Sequence, residues 1–143
     1  MTLAEAKRLL QRIVDSVQAA IDPAELLRRL PQGGVACEVG VAEGEFSRQI
    51  LDLTRPARLH LIDLWSSDLE RYAESMRPAL DRVRPELDSG LVQVHRGYSW
   101  DMLATLDDRS LDWVYIDAAH DYEYVKKDIA AAVPKMKPEG LIC

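Results

Sequence analysis

The stretch Val35-Ala36-Cys37-Glu38-Val39-Gly40-Val41-Ala42-Glu43-Gly44 decides how this chain folds. Its first five residues are a short, mostly apolar run with the texture of a buried strand. Glu38-x-Gly40-x-x-x-Gly44 leaves that strand and opens a helix over residues 45–53, where Phe46, Ile50 and Leu53 share one face. Gly40 permits a tight turn in a backbone conformation closed to other residues, and Gly44 lets the helix start close to the strand and to a ligand. A strand, a glycine turn and a helix in that order make a nucleotide-type cofactor loop. The spacing differs from Gly-x-Gly-x-x-Gly, the dinucleotide fingerprint that lays a pyrophosphate on a helix N-terminus. Moreover, Glu38 at the strand end would repel a pyrophosphate but suit an ammonium group.

The same alternation continues downstream. Second, third and fourth strands are predicted at Arg58-Leu59-His60-Leu61-Ile62-Asp63, Leu91-Val92-Gln93-Val94-His95 and Leu111-Asp112-Trp113-Val114-Tyr115-Ile116-Asp117. Between them, residues 68–87 read as helical with a break near Pro78, and Ser99 can cap a helix running to about Leu106. Residues 121–133 are helical, and Pro138-Glu139-Gly140 reads as a turn into Leu141-Ile142-Cys143, the opening of a fifth strand. Strand and helix in alternation predict an α/β domain over residues 35–143, a Rossmann-like doubly wound parallel sheet with right-handed crossovers. Ligands of such sheets bind outside the carboxyl ends of the strands, where strand order reverses. Asp63 belongs there: an acid closing the second strand can accept both hydroxyls of a ribose.

Upstream, residues 1–34 read as a helical cap. Thr2 and Glu5 form a capping-box pattern ahead of an amphipathic helix over residues 2–20, and Asp22-Pro23 restarts a short helix that ends before Pro31. The chain has 143 residues, 48% of them apolar and 29% charged, which fits one globular domain. Its net charge of −6 excludes bulk nucleic-acid binding, which needs a basic face. No apolar run approaches the roughly 20 residues that span a bilayer. Charges at Glu5, Lys7, Arg8, Arg12 and Asp15 exclude a signal peptide at the start, so the expected compartment is the cytoplasm. Cys37 and Cys143 have no CxxC partner, and Cys37 reads as a small core residue.

Taken together, Glu38-x-Gly40-x-x-x-Gly44, Asp63, Gly97-Tyr98-Ser99 and Asp117 resemble the class I S-adenosylmethionine-dependent methyltransferases. Val114-Tyr115-Ile116-Asp117-Ala118-Ala119-His120-Asp121-Tyr122 resembles the Ile-Asp-x-x-His-x-Tyr segment of a small-molecule O-methyltransferase branch that includes macrolide sugar methyltransferases. Lys127-Asp128 and Lys137-Pro138-Glu139-Gly140 fit the helix and turn that follow there. The resemblance implies S-adenosyl-L-methionine as cofactor and a small hydroxylated acceptor. It places Glu38 and Gly40 at the methionine end, with Gly44 supporting the turn. Asp63 falls on the ribose hydroxyls, Leu64 and Trp65 beside the adenosine, and Ser99 near the adenine. Asp117 falls at the methyl-transfer end, where a divalent metal such as Mg2+ is implied for part of the family, and His120 becomes the base. The family sheet has seven strands, whereas this chain stops at the opening of a fifth, so a shortened or fragmentary domain with a bare sheet edge is expected.

The chemistry asks for little beyond that. Methyl transfer from a sulfonium is an in-line displacement, and positioning two reactants can supply roughly 7–11 kcal/mol of such a barrier. An alcohol acceptor must also lose its proton, a task suited to a neutral histidine. His60 lies inside a strand and reads as structural, His95 ends a strand and is open to either reading, and His120 lies on the expected rim. Two alternatives stand beside the methyltransferase: a nicotinamide-dependent Rossmann oxidoreductase, and a non-catalytic cofactor-binding fragment. The sheet edge and the N-terminal helix are both compatible with a homodimer.

Overall fold

The computed structural model describes residues 22–65 and 74–143. The amphipathic helix expected over residues 2–20 lies outside them. The first described helix, α1 (Pro23–Arg29), starts on Asp22, whose carboxylate accepts from the Glu25 N–H at 2.7 Å, with Pro23 at the first helical position.

Five parallel strands follow: β1 (Val35–Val39), β2 (Arg58–Asp63), β3 (Val92–Arg96), β4 (Leu111–Ile116) and β5 (Met136–Ile142). They lie in the order β3-β2-β1-β4-β5. The direction of winding therefore reverses between β1 and β4, and the crevice of an open α/β sheet opens there. The helices α2 (Glu45–Thr54), α3 (Met76–Arg82), α4 (Arg84–Asp88), α5 (Ser99–Ala104) and α6 (Tyr122–Ala132) make the crossovers.

The strands β1, β2 and β4 each feed two cores, because successive side chains point to opposite faces. Ala36, Leu59, Leu61 and Trp113 pack with Leu27 and Leu30 from the α1 segment, Ile50 and Leu51 of α2 and Ala79 of α3. On the other face Cys37, Val39, Ile62 and Val114 pack with Leu103 of α5 and Ala132 of α6. Both cores are apolar on facing layers, which is the pattern of a sheet covered on two sides. The buried Cys37 thiol is pushed far above its ordinary pKa by burial and by neighbouring Glu38, so it is an inert core group.

Part of the helical region expected over residues 68–87, residues 68–73, lies outside the described residues. Beside the break expected near Pro78, α3 starts at Met76, and Pro78 sits in its first turn, where backbone N–H groups have no intrahelical acceptor to lose. A further break falls at Val83, ahead of Pro85 near the start of α4. One expectation shifts. Lys137-Pro138-Glu139-Gly140, read as a turn, lies inside β5. Leu111 pairs with Met136 but Trp113 with Leu141, so the intervening residues of β5 bulge from the ladder. Among the described residues β5 is an outer strand paired with β4 alone, and Leu141 and Ile142 are exposed.

His60 is structural, and His95 joins it: His60 Nδ1 and His95 Nε2 lie 3.0 Å apart across β2 and β3. Burial, His95 and Arg58 push the His60 pKa down to about 4. The unfolded chain takes up this proton near pH 6.5 while the folded chain does not. Stability is therefore expected to fall as pH drops from about 6.5 toward 4, by up to roughly 3 kcal/mol from this one group. Urea titrations at pH 7 and pH 4.5 check it. If His60→Leu shows the same acid loss as the parent chain, the histidine pair is not its source.

Candidate functional site

The carboxyl ends of β1, β2 and β4 are stitched together by backbone before any side chain takes part. The Gly40 N–H donates to Ile62 O at 2.9 Å, and the Asp117 N–H donates to Val39 O at 2.8 Å. Gly40 has φ +91°, and a Cβ added to it would lie 2.3 Å from Asp117 O. Its glycine is thus demanded twice, by conformation and by the β4 backbone. Gly44 has φ +76°, and its missing side chain admits Ala79 of α3, with an added Cβ only 3.0 Å from the Ala79 Cα. The close approach expected at Gly44 was to the strand and a ligand; the neighbour that an added side chain would meet is instead a helix of the chain itself.

Above this seam lies a cleft of about 820 Å³, within the size range of small-molecule sites. The expected residues Glu38, Gly40, Asp63, Leu64, Trp65, Ser99, Asp117 and His120 all line it. Gly44 stands behind it.

Glu38 is 1% exposed, and its Oε2 accepts from Ser47 Oγ at 2.5 Å. Burial raises its pKa to about 8, the Ser47 bond opposes this, and the charges of Asp63 and Asp117 add to the rise. Glu38 therefore holds a proton over much of the neutral range, and a cation placed in the cleft would favour its release. Sequence reading missed Ser47; its signal was a hydroxyl among the buried face Ser47, Ile50, Leu51 and Thr54 of α2.

Asp63 faces inward to the loop. Its Oδ2 accepts from the Val41 N–H at 2.7 Å and the Ala42 N–H at 2.9 Å, and its Oδ1 from the Trp65 N–H at 2.8 Å. Trp65, expected to flank an adenosine, is 1% exposed and belongs to the apolar core. Its Nε1–H donates to Ala42 O at 3.0 Å, so the indole is committed to the loop and offers no open stacking face. Leu64 is open to the cleft, at 39% exposure.

Ser99 is the first residue of α5 and Tyr98 is its N-cap, so the hydroxyl does not cap the helix as expected. Ser99 Oγ instead donates to Oδ1 of buried Asp128 on α6. Beside this pair Tyr98 stacks on Trp100 with ring centroids 4.8 Å apart, Trp100 meets Tyr124 at 5.5 Å, and Lys127 Nζ lies 4.7 Å from the Trp100 ring centre. The aromatic wall formed around Trp100 joins residues of α5, its N-cap and α6.

Asp117 and His120 stand at the exit of β4 with Oδ1 and Nε2 3.8 Å apart, both well exposed. The divalent metal implied for Asp117 finds no ligand set: no three histidine, cysteine or acidic side chains converge among the described residues. One carboxylate and one imidazole leave a divalent ion short of protein donors.

A doubly wound sheet with a glycine loop and acidic side chains at its switch point defines a nucleotide-type cofactor-binding α/β protein. The match is closer than that: the model of a methyltransferase domain family covers residues 37–143, and the chain belongs to this family, with the class I S-adenosylmethionine-dependent fold. No curated protein sequence matches the chain. Among solved structures it is similar to precorrin-6y C5,15-methyltransferase from Geobacter metallireducens, at 17% identity and a TM-score of 0.63 over 90% of this chain and 66% of that one. It is also similar to TYW2 of M. jannaschii in complex with AdoMet, at 13% identity and 0.64 over 90% and 54%. Precorrin 8w decarboxylase from Methanobacterium thermoautotrophicum gives 16% identity and 0.62 over 88% and 63%. At such identities these likenesses carry the fold alone, and the chain spans between about half and two thirds of those structures. No helix among the described residues is long and apolar enough to cross a membrane.

Proposed function

We propose that this domain transfers a methyl group from S-adenosyl-L-methionine to a hydroxyl of a small molecule, with His120 as the base. The observation that carries the reading is the Asp117–His120 pair, 3.8 Å apart on the rim of the cleft that also holds the Gly40 loop. The cleft suits this cofactor chemically. Glu38, Asp63 and Asp117 line it, and no lysine or arginine does among the described residues. That lining favours an ammonium, a sulfonium and hydroxyl groups, and disfavours the pyrophosphate of a nicotinamide dinucleotide.

When bound, S-adenosylmethionine supplies an electrophilic methyl carbon on a sulfonium. The chain supplies the rest. Glu38 offers a buried carboxylate once its proton leaves, and Gly40 keeps the β1 turn tight against β4. The His120 imidazole accepts the acceptor's hydroxyl proton, with the Asp117 carboxylate 3.8 Å from its Nε2. Proximity does most of the work in such a displacement.

Calorimetric titration of the 143-residue chain with S-adenosylhomocysteine tests the cofactor half. Saturable one-site binding is expected, and a folded sample that binds none overturns the reading. Transfer of a labelled methyl group to hydroxylated acceptors, with product analysis showing an ether, tests the other half; transfer to nitrogen or carbon alone excludes the O-methylation reading.

A further inference from the structure

Asp63 is over-committed for a residue expected to hold a ribose by both hydroxyls. A carboxylate offers about four lone-pair positions. Three already accept backbone N–H groups, from Val41, Ala42 and Trp65. Two of these donors lie on the cofactor loop, 21 and 22 residues upstream of Asp63.

Trp65 acts on the same loop from the other side. Its indole N–H holds the Ala42 carbonyl at 3.0 Å, and its own carbonyl accepts from Arg96 Nη2 at 2.9 Å. Ala42 and Trp65 both occupy the left-handed region, with φ of 49° and 39°. Side chains with a Cβ avoid that region unless surrounding bonds hold them there. Here the bonds run directly between the two: the Ala42 amide goes to Asp63, the Ala42 carbonyl to Trp65, and the Trp65 amide back to Asp63.

We propose that Asp63 and Trp65 are positioning residues that clamp the Val41–Ala42 loop into its ligand-ready shape, leaving Asp63 capacity for one ribose hydroxyl rather than two. Preformed loops bind more tightly because less ordering remains to be done when the ligand arrives. The clamp spans β1, β2 and β3, so the loop takes its shape from the sheet before any ligand is present.

Two measurements on the whole chain test this. The first is amide hydrogen exchange without ligand. Asp63→Asn keeps one acceptor oxygen but loses the charge and the second oxygen. It is expected to speed exchange at Val41, Ala42 and Trp65 by about tenfold or more, the range for losing a charge-assisted bond, with the β1 amides Ala36 and Cys37 unchanged. Trp65→Phe keeps an aromatic ring without the N–H and should loosen Ala42 in the same direction. Adding Ala42→Gly, which accepts the left-handed turn without help, should recover part of the ligand affinity lost in Trp65→Phe.

The second is titration by NMR with adenosine and with 2′,3′-dideoxyadenosine; this half rests on the S-adenosylmethionine reading. Asp63→Asn should weaken both nucleosides, with the dideoxy form losing at least half as many fold as adenosine. Unchanged exchange at Val41 and Ala42 overturns the clamp. So does a variant that loses adenosine while binding the dideoxy form as the parent does, because Asp63 would then act on the ribose alone. A parent chain that binds neither nucleoside counts against the cofactor reading, and the exchange data still decide the clamp.

Discussion

Gly40→Ala is expected to lower the unfolding free energy by roughly 4 kcal/mol, at the upper end of single-residue effects. Two costs add. The left-handed conformation at φ +91° penalises any Cβ, by about 1–2 kcal/mol. The new atom would also lie 2.3 Å from Asp117 O, 2.6 Å from Asp117 C and 2.7 Å from Ala118 N. All three are backbone atoms at the exit of β4, so no rotamer change relieves the contact. Relief requires β1 and β4 to separate at the switch point, which breaks the Asp117 N–H bond to Val39 O. Gly33 is the internal control: its φ is +71°, and an added Cβ meets nothing within 4 Å. Gly33→Ala should show the conformational cost alone, about 1 kcal/mol. Urea unfolding of both variants measures the difference. Equal losses at the two sites would mean that the β4 backbone is not what excludes a side chain at Gly40.

The second large effect concerns turnover. His120→Ala should reduce kcat by about 10²–10⁴, the usual contribution of a positioned base. Its side chain is 85% exposed and its one ionic neighbour among the described residues is Asp117, so its removal should leave the fold and S-adenosylhomocysteine affinity nearly unchanged. Loss of kcat with constant affinity separates a base from a binding residue. His120→Gln keeps a polar side chain without a basic nitrogen and should behave as alanine does. Retained kcat in both variants would remove His120 from the mechanism and leave deprotonation to another group or to solvent.

Much of this site was legible before the structure, and the reasons differ by residue. Gly40 stood out because a glycine directly after an apolar strand marks a backbone conformation that few residues reach. Asp63 and Asp117 stood out because each closes an apolar run, which puts both on the carboxyl edge of a parallel sheet. Position could be read in this way, but commitment could not. Nothing near Asp63 in sequence announces that its carboxylate is taken up by amides of Val41 and Ala42. The resemblance put Trp65 beside the adenosine, yet the loop and the first-face core close over it. Pro-Glu-Gly at Pro138–Gly140 carries ordinary turn chemistry. Pairing with β4 on both sides of it keeps the segment in the sheet as a bulge, an effect of tertiary context that local propensity does not contain.

The backbone seam at the tops of β1, β2 and β4 has a further meaning for how such a domain could change its trade. Neighbouring strands in a sheet are spaced by about 4.8 Å, a repeat set by peptide geometry rather than by side chains. The turn at Gly40 and the turn at Asp117, beside the proposed base His120, are moored to adjacent strands by main-chain bonds, Gly40 to Ile62 and Asp117 to Val39. Their separation is inherited from the lattice of the sheet. The rim beyond, including Tyr98, Trp100 and Tyr124, can be rewritten residue by residue without disturbing that interval. An engineer seeking a new ligand would leave the moorings alone and recast the wall.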